Sequence, residues 1–382
     1  MSQNSLVELL PRYQRVRWEL EHYLAGLAVG QKIMAEHEIA DRFKVSRVTT
    51  RKALGLLRDE GIIESVRGCG TFYVRAITPQ PHSRVASKVI GLLVPTVNDA
   101  MIAEIVHGVE TAITRRGYHL ILTHDHGQVR LQISQLNKML DANVAGILLY
   151  PDRGVTERRE FRALLKKIDA QNIPLVLLDR YIDGVGFQCV MTDNVSGMYQ
   201  VTERLIHSGR KRVALIGFWE GNTSHIARRR GFVAALRNYG LPPDPVMEGC
   251  TPANYTDRYA YSLVANWVKG CRTRDDLPFD GIVCMSDFLA YEAFDALHEA
   301  GFRIPEDVAL VGFDNMNTAA IRSPLQLTTV QHPLEDIGLT AAGLLIDQLE
   351  NKSRPIPGNH ILLPPKLVLR TSCGSTAASS LG

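Results

Sequence analysis

Arg47, Thr49, Thr50 and Arg51 fall within five consecutive residues, Arg-Val-Thr-Thr-Arg, directly behind Ser46. At helical spacing Arg47 and Arg51 stand one turn apart, with Lys52 alongside. Thr50, Ala53, Leu54 and Leu57 recur on another side that has a core to face. Ser46 is a good N-cap for this helix. Guanidiniums and small hydroxyls at a helix N-terminus suit phosphate oxygens, guanine edges and the thymine methyl. A solvated basic face is the commoner fate of such charges, so the flanking sequence has to decide.

A second set of polar residues lies downstream, mostly just after apolar runs: Asn98-Asp99, Asp179-Arg180, Asp193-Asn194, Ser286-Asp287, Asp314-Asn315 and Gln331-His332. Taken singly, helix capping explains most of them; Asp287 and Asn194 precede helical patterns. Arg228, inside Ala227-Arg-Arg-Arg-Gly-Phe232, reads equally well as surface. Taken together the set suits a polyhydroxylated ligand. Carboxylates accept from pairs of hydroxyls, while arginine and amides donate.

The first set needs a small scaffold, and the sequence supplies one. Tyr13–Leu27 is expected to be a helix burying Val16, Leu20, Tyr23 and Leu24. Glu36–Phe43 follows as a short helix, Lys44-Val45 as a turn, and Ser46–Glu60 as the recognition helix, stopped by Gly61. Ile62–Val66 and Thr71–Val74 read as strands joined by Arg67-Gly-Cys-Gly70, a turn able to approach a phosphate backbone or a minor groove. The stretch is therefore a winged helix-turn-helix, and it resembles the GntR family. The matching residues run from Pro11–Val16 through Gly30, Glu36, Val45–Arg51 and Ala53-Leu54 to Glu60–Ile63 and Gly68–Phe72. That resemblance implies DNA contacts at Ser46, Arg47, Thr49, Thr50, Arg51, Arg67 and Gly68. His37 stands where the family often has a DNA-contacting arginine, and Val48 where a polar residue is common. Ile33-Met-Ala-Glu36 replaces the family's Leu-Pro-Ser/Thr-Glu.

The second set needs strands. Val89–Val94, Tyr118–Thr123, Gly146–Tyr150, Pro174–Leu178, Cys189–Thr192, Val213–Gly217, Gly281–Met285 and Val308–Phe313 alternate with amphipathic helical segments, and a further short strand is expected at Leu327–Val330. Continuous apolar strands of this kind belong to parallel sheets covered on both faces. Their number exceeds one comfortable sheet, so two α/β lobes are expected. Ligands of open α/β sheets bind beyond the strand C-termini, where the polar residues lie. The pieces Ile90–Pro95, Pro174–Arg180, Asp193–Gly197, Leu205–Val213, Arg228–Phe232, Ser286-Asp287, Ile304–Asp314 and Leu327–His332 resemble the effector-binding core of the LacI family and periplasmic sugar-binding proteins. The resemblance implies that Asp179, Arg180, Arg228, Asp314 and His332 line a cleft between lobes, with Tyr255 near a frequent aromatic stacking position. Asp99 and Ser286 join them as strand-end residues. Met101 and Ile102 occupy positions that are often aromatic, Ser286 replaces a usual asparagine, and His332 stands where glutamine is common.

The expected fold class is thus α/β: an N-terminal winged helix-turn-helix plus a two-lobe periplasmic-binding-protein-like core of parallel sheets. The boundaries fall at 1–76 for the DNA-binding domain, 77–88 for a linker, 89–372 for the effector-binding and dimerisation domain, and 373–382 for a tail. Lobe 1 takes about 89–191 and 334–360, and lobe 2 about 192–333 and 361–372. Residues 1–76 hold 12 Lys and Arg against 9 Asp and Glu. They carry the whole chain's net charge of +3, so the basic excess is confined to the proposed DNA-binding end. The six cysteines show no CxxC pair or zinc-like spacing, which fits a reducing compartment without structural disulfides. No apolar run reaches membrane-spanning length and no secretory signal is seen, so a cytoplasmic protein is expected.

The leading reading is a repressor that binds double-stranded operator DNA as a homodimer and responds to a small sugar, with no cofactor and no metal. A GntR-type reader on a LacI-type core resembles the hybrid arrangement of arabinose-responsive repressors, which implies L-arabinose or another pentose. An α/β enzyme acting on a sugar is the alternative. Against it stand the absence of G-x-G-x-x-G after a strand, a P-loop or G-x-S-x-G. A transport binding protein is opposed by the DNA-binding segment.

Overall fold

Ser46 starts the helix that the sequence singles out. Its side chain accepts the Thr49 backbone N–H at 3.2 Å, and α3 (Arg47–Asp59) runs from there. The computed structural model describes residues 12–66, 69–75, 87–152, 158–243, 248–250, 258–316, 323–351 and 358–374. It divides into an N-terminal unit and a larger α/β unit.

In the N-terminal unit, α1 (Arg12–Ala25) and α2 (Glu36–Arg42) precede α3, and a hairpin of β1 (Ile63–Val66) and β2 (Gly70–Tyr73) follows it. Lys44 takes φ 51° to turn the chain between α2 and α3. Val16, Leu20 and Leu24 of α1 meet Ile39 of α2, Ala53, Leu54 and Leu57 of α3, and Ile63 and Tyr73 of the hairpin in one core. The apolar spacing along each helix is thereby used up on a single face, which leaves the other face of α3 to water. The strands pair antiparallel, with Ile63 opposite Tyr73 and Val66 opposite Gly70. Arg67 and Gly68 at the hairpin tip, and nearly all of the expected linker, lie outside the described residues.

In the larger unit, β3 (Val89–Val94), α4 (Ala100–Arg115), β4 (His119–His124), α5 (Val129–Asp141), β5 (Gly146–Leu149), α6 (Arg159–Ala170), β6 (Leu175–Leu178) and β7 (Gln188–Thr192) build the first lobe. Then come α7 (Asn194–His207), β8 (Val213–Phe218), α8 (Thr223–Asn238), β9 (Glu248–Cys250), α9 (Tyr259–Trp267), β10 (Gly281–Cys284), α10 (Asp287–Glu299) and β11 (Ala309–Val311) of the second. The chain ends with β12 (Thr329–Gln331), α11 (Leu334–Asn351), β13 (His360–Leu363) and β14 (Lys366–Val368). One sheet has the order β13-β7-β6-β5-β3-β4 and the other β11-β10-β8-β9, and all of their pairings are parallel. Every residue of β5, β6, β7, β8 and β10 is buried, as strands covered on both faces must be.

Two features differ from the sequence reading. Residues 361–363 were expected in lobe 2, but β13 pairs with β7 in the first lobe's sheet, from His360 opposite Cys189 to Leu363 opposite Thr192. The segment around Arg228, which by pattern alone read as surface, is the 16-residue helix α8 with Arg228 buried. The helices α4 and α11 pack with their backbones in contact. A Cβ on Gly108 would come within 2.1 Å of Glu335 O, and one on Gly338 within 2.2 Å of Ile105 O, so only glycine fits at either place.

Candidate ligand cleft and nucleic-acid interface

The N-terminus of α3 presents Arg47 and Val48 to solvent, Val48 at 76% exposure. An apolar side chain this open beside an arginine matches what a thymine methyl next to a guanine edge requires. Thr49 is half-buried, with its hydroxyl 2.9 Å from that of Ser46. Arg51 is 70% exposed and its Nε donates to the Glu36 carboxylate at 2.8 Å. His37 is exposed on α2, and Lys52 sits 4.1 Å from the centre of the Tyr13 ring. Thr50 requires a correction. It is fully buried and its hydroxyl donates to Ser46 O at 3.3 Å, so it holds the start of α3 against the core and has no face toward DNA.

The strand-end residues come together. A cavity of about 470 Å³ is bounded by Asp99, Asp179 and Arg180 of the first lobe and by Arg228, Ser286, Asp314 and His332 of the second. Two hydrogen-bonded groups face it. In the first lobe, Tyr150 donates its hydroxyl to Asp179 Oδ2 at 2.7 Å, while an Arg180 Nη donates to the Tyr150 oxygen at 3.0 Å and to Asp179 at 3.3 Å. Burial alone pushes the Asp179 carboxyl up, but Arg180, His332, the Tyr150 hydrogen bond and Arg228 hold it below the ordinary carboxylate value. Burial likewise pushes the Tyr150 phenol up, so Tyr150 remains a donor at neutral pH. Asp179 has φ 65°, a conformation that non-glycine residues keep only where the surroundings impose it.

In the second lobe, Arg228 is 6% exposed and tied on every side. Its Nε donates to Asn194 Oδ1 at 2.8 Å. One Nη donates to Met285 O and to Asp314 at 3.3 Å, and the other lies 3.2 Å from His332 Nε2. The guanidinium also lies 3.8 Å from the centre of the Phe313 ring. His332 Nε2 is 3.1 Å from Asp314 Oδ1, and its Nδ1 is 2.7 Å from the hydroxyl of Thr192 at the end of β7. The ring thus links a strand of the first sheet to the ion pair of the second lobe. These charges are largely desolvated and hold one another in place, so a ligand hydroxyl meets acceptors and donors that are already aimed.

Asp99 and Ser286 line the cavity and also cap helices. Asp99 accepts the Met101 N–H at 2.8 Å, and Ser286 Oγ lies 3.5 Å from the Leu289 N. Tyr255 lies outside the described residues. The sequence reading missed Tyr150, Trp219, Asn222 and His225, all of which line the cavity. Tyr150 and Trp219 stand just past β5 and β8, so the strand-end rule finds both once it is applied to aromatics. Asn222 caps α8, accepting the Ser224 N–H at 2.9 Å, and its helix was not recognised. Apolar side chains fill the rest of the wall, Met101 and Ile105 among them. Among the described residues no group of three or more His, Cys, Asp or Glu is arranged to hold a metal, and no helix is long and apolar enough to cross a membrane.

Two family models match parts of the chain. The family model of bacterial regulatory proteins of the gntR family matches residues 12–72, and that of the periplasmic binding protein-like domain matches residues 202–373. The arabinose metabolism transcriptional repressor of Geobacillus stearothermophilus is 29% identical over 375 residues, 95% of this chain and 98% of that protein. A crystal structure of an uncharacterized protein from Actinobacillus succinogenes is 30% identical, covers 75% of this chain and 99% of its own, and has a TM-score of 0.61. The transcription regulator CcpA of Lactococcus lactis, at 23% identity, 75% of this chain, 99% of its own and a TM-score of 0.64, shares the fold.

Proposed function

We propose that the chain, whose residues 12–72 match the gntR family of bacterial regulatory proteins and whose residues 202–373 match the periplasmic binding protein-like domain, is a sequence-specific DNA-binding repressor of carbohydrate-metabolism genes. Its operator affinity is set by a small sugar held in the cleft. The observation that carries this reading is the pair of pre-aimed polar groups, Tyr150–Asp179–Arg180 and Arg228–Asp314–His332, facing one cavity from two lobes. Asp179 and Asp314 accept from sugar hydroxyls, while Arg180, Arg228 and His332 donate or accept as the ring demands. A pentose is the favoured ligand, supported by the arabinose repressor to which nearly the whole chain is similar.

On the DNA side, Arg47 and Arg51 read bases or phosphates, Val48 meets a thymine methyl, Ser46 and Thr49 shape the helix start, and His37 approaches the backbone from α2. Arg67 and Gly68 contact DNA from the hairpin tip. The protein binds as a homodimer through the cores, because one small winged helix buries too little surface for operator-level affinity. Two recognition helices must lie about 34 Å apart to reach successive major grooves. A sugar that binds the closed cleft more tightly than the open one shifts the core toward closure by that difference and no more. Closure changes the separation of the two readers and releases the operator.

The test has two parts. Sites selected from random DNA by the full chain should be pseudo-palindromes. Calorimetry against a panel of pentoses and hexoses should give one tight ligand that releases the selected site. A core that binds no sugar, or DNA sites without two-fold symmetry, contradicts the reading.

A further inference from the structure

Asp314 reaches the cleft from an unusual turn. Asp314 has φ 120° and Asn315 has φ 52°, so two successive residues other than glycine sit in the left-handed region. Such a turn persists only where its surroundings impose it. The Asp314 N–H donates to Val330 O at 2.8 Å, and a further restraint comes from a buried carboxylate that the cavity itself does not reach, Asp287, the first residue of α10 and 2% exposed. Its Oδ2 accepts the Met316 N–H at 2.8 Å and its Oδ1 accepts the Thr329 hydroxyl at 2.5 Å. Its own N–H donates to Phe313 O at 2.7 Å. The strand before the turn lies close against it: a Cβ on Gly312 would come within 2.2 Å of Asp287 Oδ1. On the far side, Arg370 donates to the Asn315 side-chain oxygen at 2.8 Å, and the Asn315 N–H lies 3.4 Å from the Thr329 hydroxyl.

A helix cap does not need this arrangement. Ser286 already occupies the N-cap position of α10, so the Asp287 carboxylate is free of that task and both of its oxygens go to the turn and to β12. We propose that Asp287 is a positioning residue of the cleft, pinning the 314–316 turn so that the Asp314 carboxylate is aimed at the effector. This rests on the cleft being the effector site.

The placement has an electrostatic consequence. Burial, with the Asp314 charge close by, pushes the Asp287 carboxyl up to about 7, against the pull of the Thr329 and Met316 hydrogen bonds and of Arg370. The charged and titratable groups around it are Asp314 on the turn, Arg370 beyond β14, Tyr291 on α10 and Cys284 on β10, with Arg228 and His332 beyond Asp314. When Asp287 ionises, a second negative charge stands behind Asp314. Hydroxyl donors are then held more tightly at pH 8 than at pH 6.

Hydrogen exchange at the Met316 amide of the ligand-free full chain reads the pinning directly. Asp287→Ala should speed exchange there at least tenfold, and Asp287→Asn should restore protection, because its amide oxygen still accepts and its NH2 donates to Thr329. Equal exchange in wild type and Asp287→Ala overturns the proposal, as does an Asp287→Asn as unprotected as the alanine variant. Should Asp287→Ala not fold, Thr329→Val removes one partner only, and unchanged exchange at Asn315 and Met316 then overturns it. Titration with L-arabinose at pH 6 and pH 8 reads the charge. Wild type should bind more tightly at pH 8 and Asp287→Asn equally at both, and a wild type indifferent to pH contradicts the coupling. If wild type binds no L-arabinose at all, L-arabinose is not the effector, and the exchange result alone decides the positioning.

Discussion

Arg51–Glu36 and Arg228–Asp314 are the same chemical pair in opposite surroundings. The first lies on the reading helix with side chains 70% and 34% exposed, the second in the cleft at 7% and 13%. An exposed pair of this kind is worth about 0–1 kcal/mol, so Arg51 can exchange Glu36 for another anion at little cost. The cleft pair has already lost its water, and its geometry is fixed by Asn194, Met285 and His332. One region keeps its charges transferable and the other keeps them preset. That is what a reader of polyanionic DNA and a sensor of a neutral polyol respectively require.

The comparison is broken most readily at Arg228. Arg228→Ala leaves Asp314, largely shielded from water, without its cation and should cost about 3–5 kcal/mol in denaturant unfolding of the full chain. A loss below about 1 kcal/mol would place the pair in the same class as Arg51–Glu36. Arg47→Ala and Arg51→Ala should each weaken operator binding by about 1–3 kcal/mol while moving stability by less than about 0.5 kcal/mol. Unchanged DNA affinity in both would remove α3 as the reader.

The pH dependence of stability sharpens the cleft side. Asp287 is pushed up to about 7 from the ordinary carboxylate range, so the folded state holds a proton that the unfolded chain releases. Its contribution is fully present below pH 4 and is lost as pH rises toward 7, at roughly 1 kcal/mol per pH unit, and it flattens above that. Asp287→Asn should remove this slope from a series of urea melts, and a slope that survives the substitution would assign it to other groups. The smallest effect belongs to the exposed pair. Glu36→Gln should change stability by less than about 1 kcal/mol and tighten operator binding at low salt, where the freed Arg51 is least screened.

The same contrast explains what the sequence could reveal. The strands of both lobes were legible because burial on two faces leaves continuous apolar runs. The residues just past them were legible because open sheets present those positions to the cleft. Arg228 was not legible from pattern. It is one of three consecutive arginines, of which Arg229 pairs with Glu248 at 2.6 Å, Arg230 is exposed, and only Arg228 turns into the cleft. Resemblance to the LacI family, and not spacing, singled it out. Thr50 carried two conflicting signals, a core position by helical spacing and a DNA contact by resemblance, and burial resolves them in favour of the core. β13 was misassigned because its short run carries no sign of which sheet edge it joins. Asp287 looked like an ordinary helix cap, since nothing local reveals that Met316 and Thr329 reach back to it.

The claim that the cleft governs the DNA-reading unit is tested most directly by operator release. Fluorescence anisotropy of a labelled operator, bound by wild type or by Asp314→Asn, can be followed as the tightest-binding pentose is added. Wild type should release the operator, and Asp314→Asn should hold it at sugar concentrations that fully release wild type. Release of both proteins at the same concentration would mean that the sensor lies outside the cleft.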